Sequence, residues 1–343
     1  MAVTPEVETG GTGREEAAAP PRRKRRGTPE LDTAQNRLGL YLITPTIVLL
    51  CIVIGYPVVR AIVMSFQKDP GLDPATGLFV SGGFAGFKNY THWLLQQCGS
   101  VKCPPGSLGS QFWPAMSTTI IFTVLTVIFE VILGMWMALV MNRAFKGRGL
   151  LRASVLVPWS IPTAVTAKLW LFILAFTGIA NSLFHTKILW TGDTWASRSA
   201  IIIADVWKTT PFIALLILAG LQIIPGEVYE AAKVDGATAW QRFTKVTLPL
   251  VRPALMVAIL FRTLDVLRIY DLPAILTQGG GGSGNATTTL SILVVDQIRS
   301  GFNSAAALST ITFVFIFLVA FLFVKVLGTN VVRTQQQQQK GRR

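Results

Sequence analysis

Six long apolar stretches, near residues 38–66, 114–140, 154–176, 200–224, 248–270 and 305–327, constrain this chain more than any other feature. A bilayer core ~30 Å thick is crossed by a helix of about 20 apolar residues. The runs are continuous and lack the alternation of a membrane strand, which predicts helices rather than a barrel. The chain therefore reads as an all-α integral membrane protein with six transmembrane helices. Charge content agrees: Asp, Glu, Lys and Arg make up 14% of the 343 residues, against about 25% in a soluble domain. The fifth stretch is the weakest, because Arg262, Asp265 and Arg268 interrupt it.

A net charge of +14 would suit a nucleic-acid partner, but the placement of the charges argues against one. With both termini cytoplasmic, twenty of the 31 Lys and Arg fall in cytoplasmic segments. Reversing the topology would violate the positive-inside bias, so the excess is a topology signal with anionic lipid contact as a second use. Residues 1–37, with Arg22-Arg23-Lys24-Arg25-Arg26, read as a disordered basic cytoplasmic tail, and 328–343 with its glutamine run as another. A twin-arginine export signal is disfavoured, since the next apolar run far exceeds an h-region of roughly 7–15 residues. Residues 67–113 form an extracytoplasmic loop after the first transmembrane helix at 38–66.

One polar island stands between the fourth and fifth spans: Glu230-Ala231-Ala232-Lys233-Val234-Asp235-Gly236-Ala237, then Leu248-Pro249 and Pro253. Glu227 and Glu230 near a helix start suit the dipole, the alanines favour a helix, and Gly236 permits the backbone that ends it. A second helical piece follows with Trp240, Phe243 and Val246, and Leu248-Pro249 is expected to break it. This loop, 225–249, resembles the "EAA" coupling loop of permease subunits in binding-protein-dependent ABC importers. The resemblance implies a type I ABC importer permease fold over 114–327. It also implies that Glu230, Ala231, Ala232, Asp235 and Gly236 dock on a cytoplasmic ATPase dimer. That dimer, not this chain, would bind ATP and Mg. No phosphate-binding G-x-x-x-x-G-K-[ST] occurs here, and the run Gly279–Gly284 reads as a flexible outward loop.

Charges within spans are expensive, and Arg262, Asp265, Arg268 and Asp271 recur every three residues. Two readings stay open: a stripe that neutralises itself, or a polar wall of the translocation path. Asp205 and Lys208 read as a structural pair, while Glu130 and Lys168 pair with each other or with a partner subunit. The R-x-x-D-x-x-R-x-x-D pattern resembles sugar-importer permeases of the MalF type. Val206–Phe212 and Leu260–Asp265 resemble the actinobacterial trehalose importers within it. That likeness favours a substrate path including Asp265, Arg268 and Asp271, and implies a disaccharide such as trehalose as substrate; Phe302 and Asn303 are further path candidates by their position just before the last span. It implies a second homologous permease chain, an extracytoplasmic sugar-binding protein or lipoprotein, and a multi-pass location in the bacterial plasma membrane. The alternatives are a permease for another solute, such as glycerol phosphate, or an ion-coupled secondary transporter. The latter commonly has internal repeats and more spans.

Cys98 and Cys103 share the first outward loop, where an oxidising exterior permits a disulfide; two free thiols are the alternative. His92 and His185 lie in different loops, so neither a metal site nor a catalytic triad is expected. No convergent set of nucleophile and base is found, and the chain reads as a permease subunit rather than an enzyme.

Overall fold

The computed structural model describes residues 29–72, 77–282 and 284–340, so the Arg22–Arg26 run lies outside the described residues. Two compact units divide at Pro57 and Val58. The first is helical: α1 (Pro29–Leu50) runs into a π-helical turn, Cys51–Gly55, and then into α2 (Tyr56–Ser65). Helix therefore begins nine residues before the expected boundary at 38. Proline at the first helical position has no N–H to leave unpaired, and the polar residues after it do not oppose helix.

In the second unit, α2 ends in a region of three two-stranded ladders: β1 (Gln67–Lys68) with β4 (Gly83–Phe84), β2 (Gly71–Leu72) with β3 (Phe79–Val80), and β5 (Gln97–Cys98) with β6 (Val101–Lys102). Between them lies α3 (Lys88–Leu94). The helices that follow are α4 (Phe112–Asn142), α5 (Arg148–Ser160), α6 (Thr163–Ile173), α7 (Ile179–Leu183) and α8 (Thr194–Gln222). After them come α9 (Gly226–Val234), α10 (Ala239–Arg242), α11 (Leu248–Val266), α12 (Asp271–Leu276), α13 (Leu290–Ser300) and α14 (Phe302–Lys340).

Five helices among the described residues are long and apolar enough to cross a membrane; a sixth crossing exists only if α5 and α6, bent by 91°, count as one. The bend follows from Pro162, which supplies no N–H and sits between Ile161 and α6 in extended backbone. The last helix runs through the glutamines to Lys340, where a disordered tail was expected from 328. Glutamine is a good helix former, and the run contains no proline.

Leu248-Pro249 does not break its helix. A π-helical turn, Phe243–Thr247, joins α10 to α11, with the Leu248 N–H bonded to the Phe243 carbonyl. Tyr56 bonds to the Cys51 carbonyl in the same way, again one residue before a proline. A widened turn before each proline absorbs the lost donor and the clash of its ring with the preceding turn.

Helices α4, α8 and α11 form the centre of the bundle, held by two apolar clusters. One joins Met135, Met141, Ile213, Ile217, Leu221, Val251 and Leu255; the other joins Phe122, Ile201, Val206, Val266 and Leu272. Small residues bring the backbones close, as lipid-embedded helices require. A Cβ on Gly134 would stand 2.8 Å from Ile213 Cγ2, and one on Gly220 would collide with Ala254.

A third cluster, with Trp93, Phe112, Leu290 and Leu308, covers the start of α14. There Asp69 acts as a borrowed cap: its carboxylate accepts from Asn303 N at 2.5 Å and Ser304 N at 3.0 Å. Trp93 Nε1 donates to the Ser304 carbonyl at 3.0 Å. Replacing Asp69 by alanine is expected to cost about 1–2 kcal/mol, as for other lost helix caps, read as a lower unfolding midpoint in detergent.

The glycine run is not a free loop. Gly282 N donates to the Thr191 carbonyl and to Ser197 Oγ, at 3.0 and 3.1 Å. Its φ of +54° excludes most side chains, and a Cβ there would stand 2.9 Å from Thr194 backbone. Thr287 and Thr288 hydroxyls close the turn on the Gly280 and Gly279 carbonyls.

Candidate functional site

The Glu230 loop is built to hold its own shape. Helix α9 starts after Pro225 with Glu227 in its first turn and ends with Lys233 in its last, both favourable to the dipole. Its end is a Schellman motif: Ala237 N bonds the Ala232 carbonyl and Gly236 N the Lys233 carbonyl, with Gly236 at φ +73°. Thr238 and Gln241 then form a capping box that opens α10. Arg242 Nη1 donates to the Ala237 carbonyl at 2.8 Å, and Thr247 Oγ1 to Tyr229 Oη at 3.3 Å, tying the two arms.

No residue of α9 is buried. Glu230, Ala231, Asp235 and Gly236 are exposed and Ala232 is partly so. Val234 and Trp240 are 88% and 71% exposed. The loop thus leaves both apolar side chains and carboxylates uncovered.

The second feature lies inside the bundle. Arg262 on α11 is 3% exposed and spends all three guanidinium nitrogens on carboxylates: Nε on Glu130 of α4 at 2.7 Å, Nη2 on Asp205 of α8, and Nη1 on Asp265. Thr209 Oγ1 donates to the other Glu130 oxygen at 2.5 Å. Glu130 is fully buried, whereas the Asp265 side chain is 66% exposed. Lys208 donates to the Ile161 carbonyl at the bend between α5 and α6, at 2.5 Å. That carbonyl ends α5, where a cation is favoured.

This arrangement differs from several sequence expectations. Asp205 pairs with Arg262 rather than Lys208, and Glu130 with Arg262 rather than Lys168, which is exposed. The signal was present, since an arginine in a span demands counter-charges from other spans. The regular stripe also divides. Helix α11 stops at Val266, so Arg268, exposed and donating to the Leu264 carbonyl, no longer shares a face with Arg262. Asp271 opens α12 instead.

Among the remaining expected path residues, Phe302 is exposed, but Asn303 is buried and its amide donates to the Lys68 carbonyl at 2.7 Å. Asn303 thus sits in the cap of α14, away from Asp265 in the bonding pattern. Cys98 and Cys103 are joined as a disulfide across the β5–β6 turn. His92 stands beside them, its Nδ1 3.9 Å from each sulfur and 2.7 Å from the Gln97 carbonyl. The three side chains cluster as a metal site would, yet bonded sulfurs offer no thiolate.

The sequence pattern of binding-protein-dependent transport system inner membrane components matches residues 130–335, a span holding both the loop and the arginine cluster. The trehalose/maltose transport system permease protein MalF of Thermococcus litoralis is 37% identical over 305 residues, 87% of this chain and 96% of that protein. The trehalose transport system permease protein SugA of Mycobacterium tuberculosis is 38% identical over 299 residues, 86% of this chain and 90% of that one. A crystal structure of a bacterial ABC transporter involved in the import of the acidic polysaccharide alginate shares the fold, with a TM-score of 0.69 at 22% identity. That likeness covers 88% of this chain and 98% of its counterpart. A self-capped exposed loop set between apolar membrane helices, and matched throughout by sequence, is thus explained: the chain belongs to the inner membrane components of binding-protein-dependent transport systems.

Proposed function

We propose that the chain is one permease subunit of an ATP-driven sugar importer, and that a trehalose-like disaccharide is its substrate. The observation that carries the reading is the exposed, self-capped helix Gly226–Val234 with Glu230 at its centre. A soluble ATPase dimer on the cytoplasmic face receives it, and that dimer holds ATP and Mg. Both termini are then cytoplasmic, and the region 67–113 faces outward to a sugar-binding protein. A second homologous permease chain supplies the other half of the path and the other loop. The names of the two relatives at 37% and 38% identity support the choice of disaccharide.

Asp265 and Arg268 are the strongest candidates for substrate contact. Asp265 offers an oxygen that Arg262 does not hold, and Arg268 is an exposed donor just beyond the end of α11. A sugar is neutral and rich in hydroxyls, so carboxylate acceptors and guanidinium donors recognise it. Asp271 and Phe302, both exposed, stand as further contacts; Asn303 serves through the cap of α14.

Co-expression with the neighbouring ATPase, second permease and binding protein, followed by uptake of labelled trehalose into proteoliposomes, tests the reading. The ATPase should co-purify, and Arg268→Ala or Asp265→Ala should cut uptake about tenfold or more, as expected for a lost hydrogen bond to a charged group. Failure of any ATPase to associate overturns the importer reading. Full uptake in both variants removes these residues from the path.

A further inference from the structure

We propose that Arg262 is a positioning residue that locks α4, α8 and α11 into one rigid body, so that motion of the Glu230 loop reaches the far half of the bundle. The inference rests on the coupling role proposed above. Its basis is where the cluster stands. On α4, Glu130 falls between Phe122 of one apolar cluster and Met135 of the other. On α11, Arg262 falls between Leu255 and Val266, and on α8 the Asp205–Thr209 turn lies just before Ile213.

An ionic layer thus separates two greasy ones. Apolar contacts are non-directional and let helices slide or rotate by small steps. A planar guanidinium bonded to carboxylates on three helices fixes register and spacing, which is the best-attested use of a buried ionic group. With a rise of 1.5 Å per residue, the layer is roughly 20–25 Å along α8 and α11 from the loop that joins them. Over that length an apolar cluster packs the two arms together, and the ionic layer fixes their register at its far end.

The remaining charge nearby, Lys208, braces the α5–α6 bend through the Ile161 carbonyl and makes no ion pair in the cluster. The bend is therefore attached to the same body.

The first measurement uses the otherwise wild-type complex. Spin labels at Phe129, Ile203 and Phe261, exposed positions flanking the layer on the three helices, would be placed in a Cys51→Ser background. Their mutual distances should be unchanged between nucleotide-free and ATP-bound complexes. A change beyond the roughly 1–2 Å of ordinary helix shifts overturns the rigid body. The second measurement uses Arg262→Lys, whose compact ammonium lacks the planar fork that spans the three carboxylates, and the neutral triple variant Arg262→Met/Glu130→Gln/Asp205→Asn. Either variant that assembles should keep basal ATP hydrolysis while sugar moved per ATP falls about tenfold. An assembled variant with wild-type transport per ATP overturns the proposal. Glu230→Lys separates the two readings: full transport in that variant defeats the coupling loop, while the label distances still decide the rigid body.

Discussion

Replacing Arg262 by methionine alone should destabilise the protein by about 3–5 kcal/mol. The side chain lost is not merely one partner of one pair. Glu130 and Asp205 are buried, and each would keep its carboxylate with its cation gone. Thr209 would still serve one Glu130 oxygen, but no donor would replace Arg262 Nε at the other. Asp265, already exposed, would turn to solvent at little cost. The expected result is a large drop in the detergent unfolding midpoint, with much of it recovered when Glu130→Gln and Asp205→Asn are added. A single variant as stable as the parent would show that the cluster is not closed to water.

Glu230→Lys should have the opposite profile: function lost, stability kept. Glu230 is exposed on a helix with no buried residue. Surface changes of this kind usually stay within about 0.5 kcal/mol. On the coupling role proposed above, the reversed charge would meet a basic site on the ATPase, where like charges cost several kcal/mol. Transport should fall at least about tenfold, with weaker retention of the ATPase on the purified permease. Normal transport in this variant would exclude the loop from the coupling path.

Much of this architecture is readable from the chain because lipid is a severe solvent. A run that cannot leave backbone groups unpaired must be helical, and its length is dictated by the bilayer. The end of α9 was equally readable, since Gly236 is where a left-handed backbone belongs. Several misreadings share one cause, which is distance in sequence. The counter-charges of Arg262 come from residues 57 and 132 positions away. Periodicity within one span suggested a stripe, but a helix that ends at Val266 carries its next residues elsewhere. Gly279–Gly284 looked unconstrained because its partners, Thr191 and Ser197, belong to another span. Asn303 looked available until Lys68 claimed its amide. Leu248-Pro249 was expected to break its helix because proline opposes helix, whereas the π-helical turn before it lets the helix continue.

The cap that Asp69 lends to α14 bears on how the polypeptide is made. A ribosome delivers Asp69 and Trp93 more than two hundred residues before the Asn303 and Ser304 groups they bind. Until α14 is made, that carboxylate and that indole lack these hydrogen-bond partners. Maturation of this face therefore waits for α14, as a clasp that a late-made segment shuts on an early one.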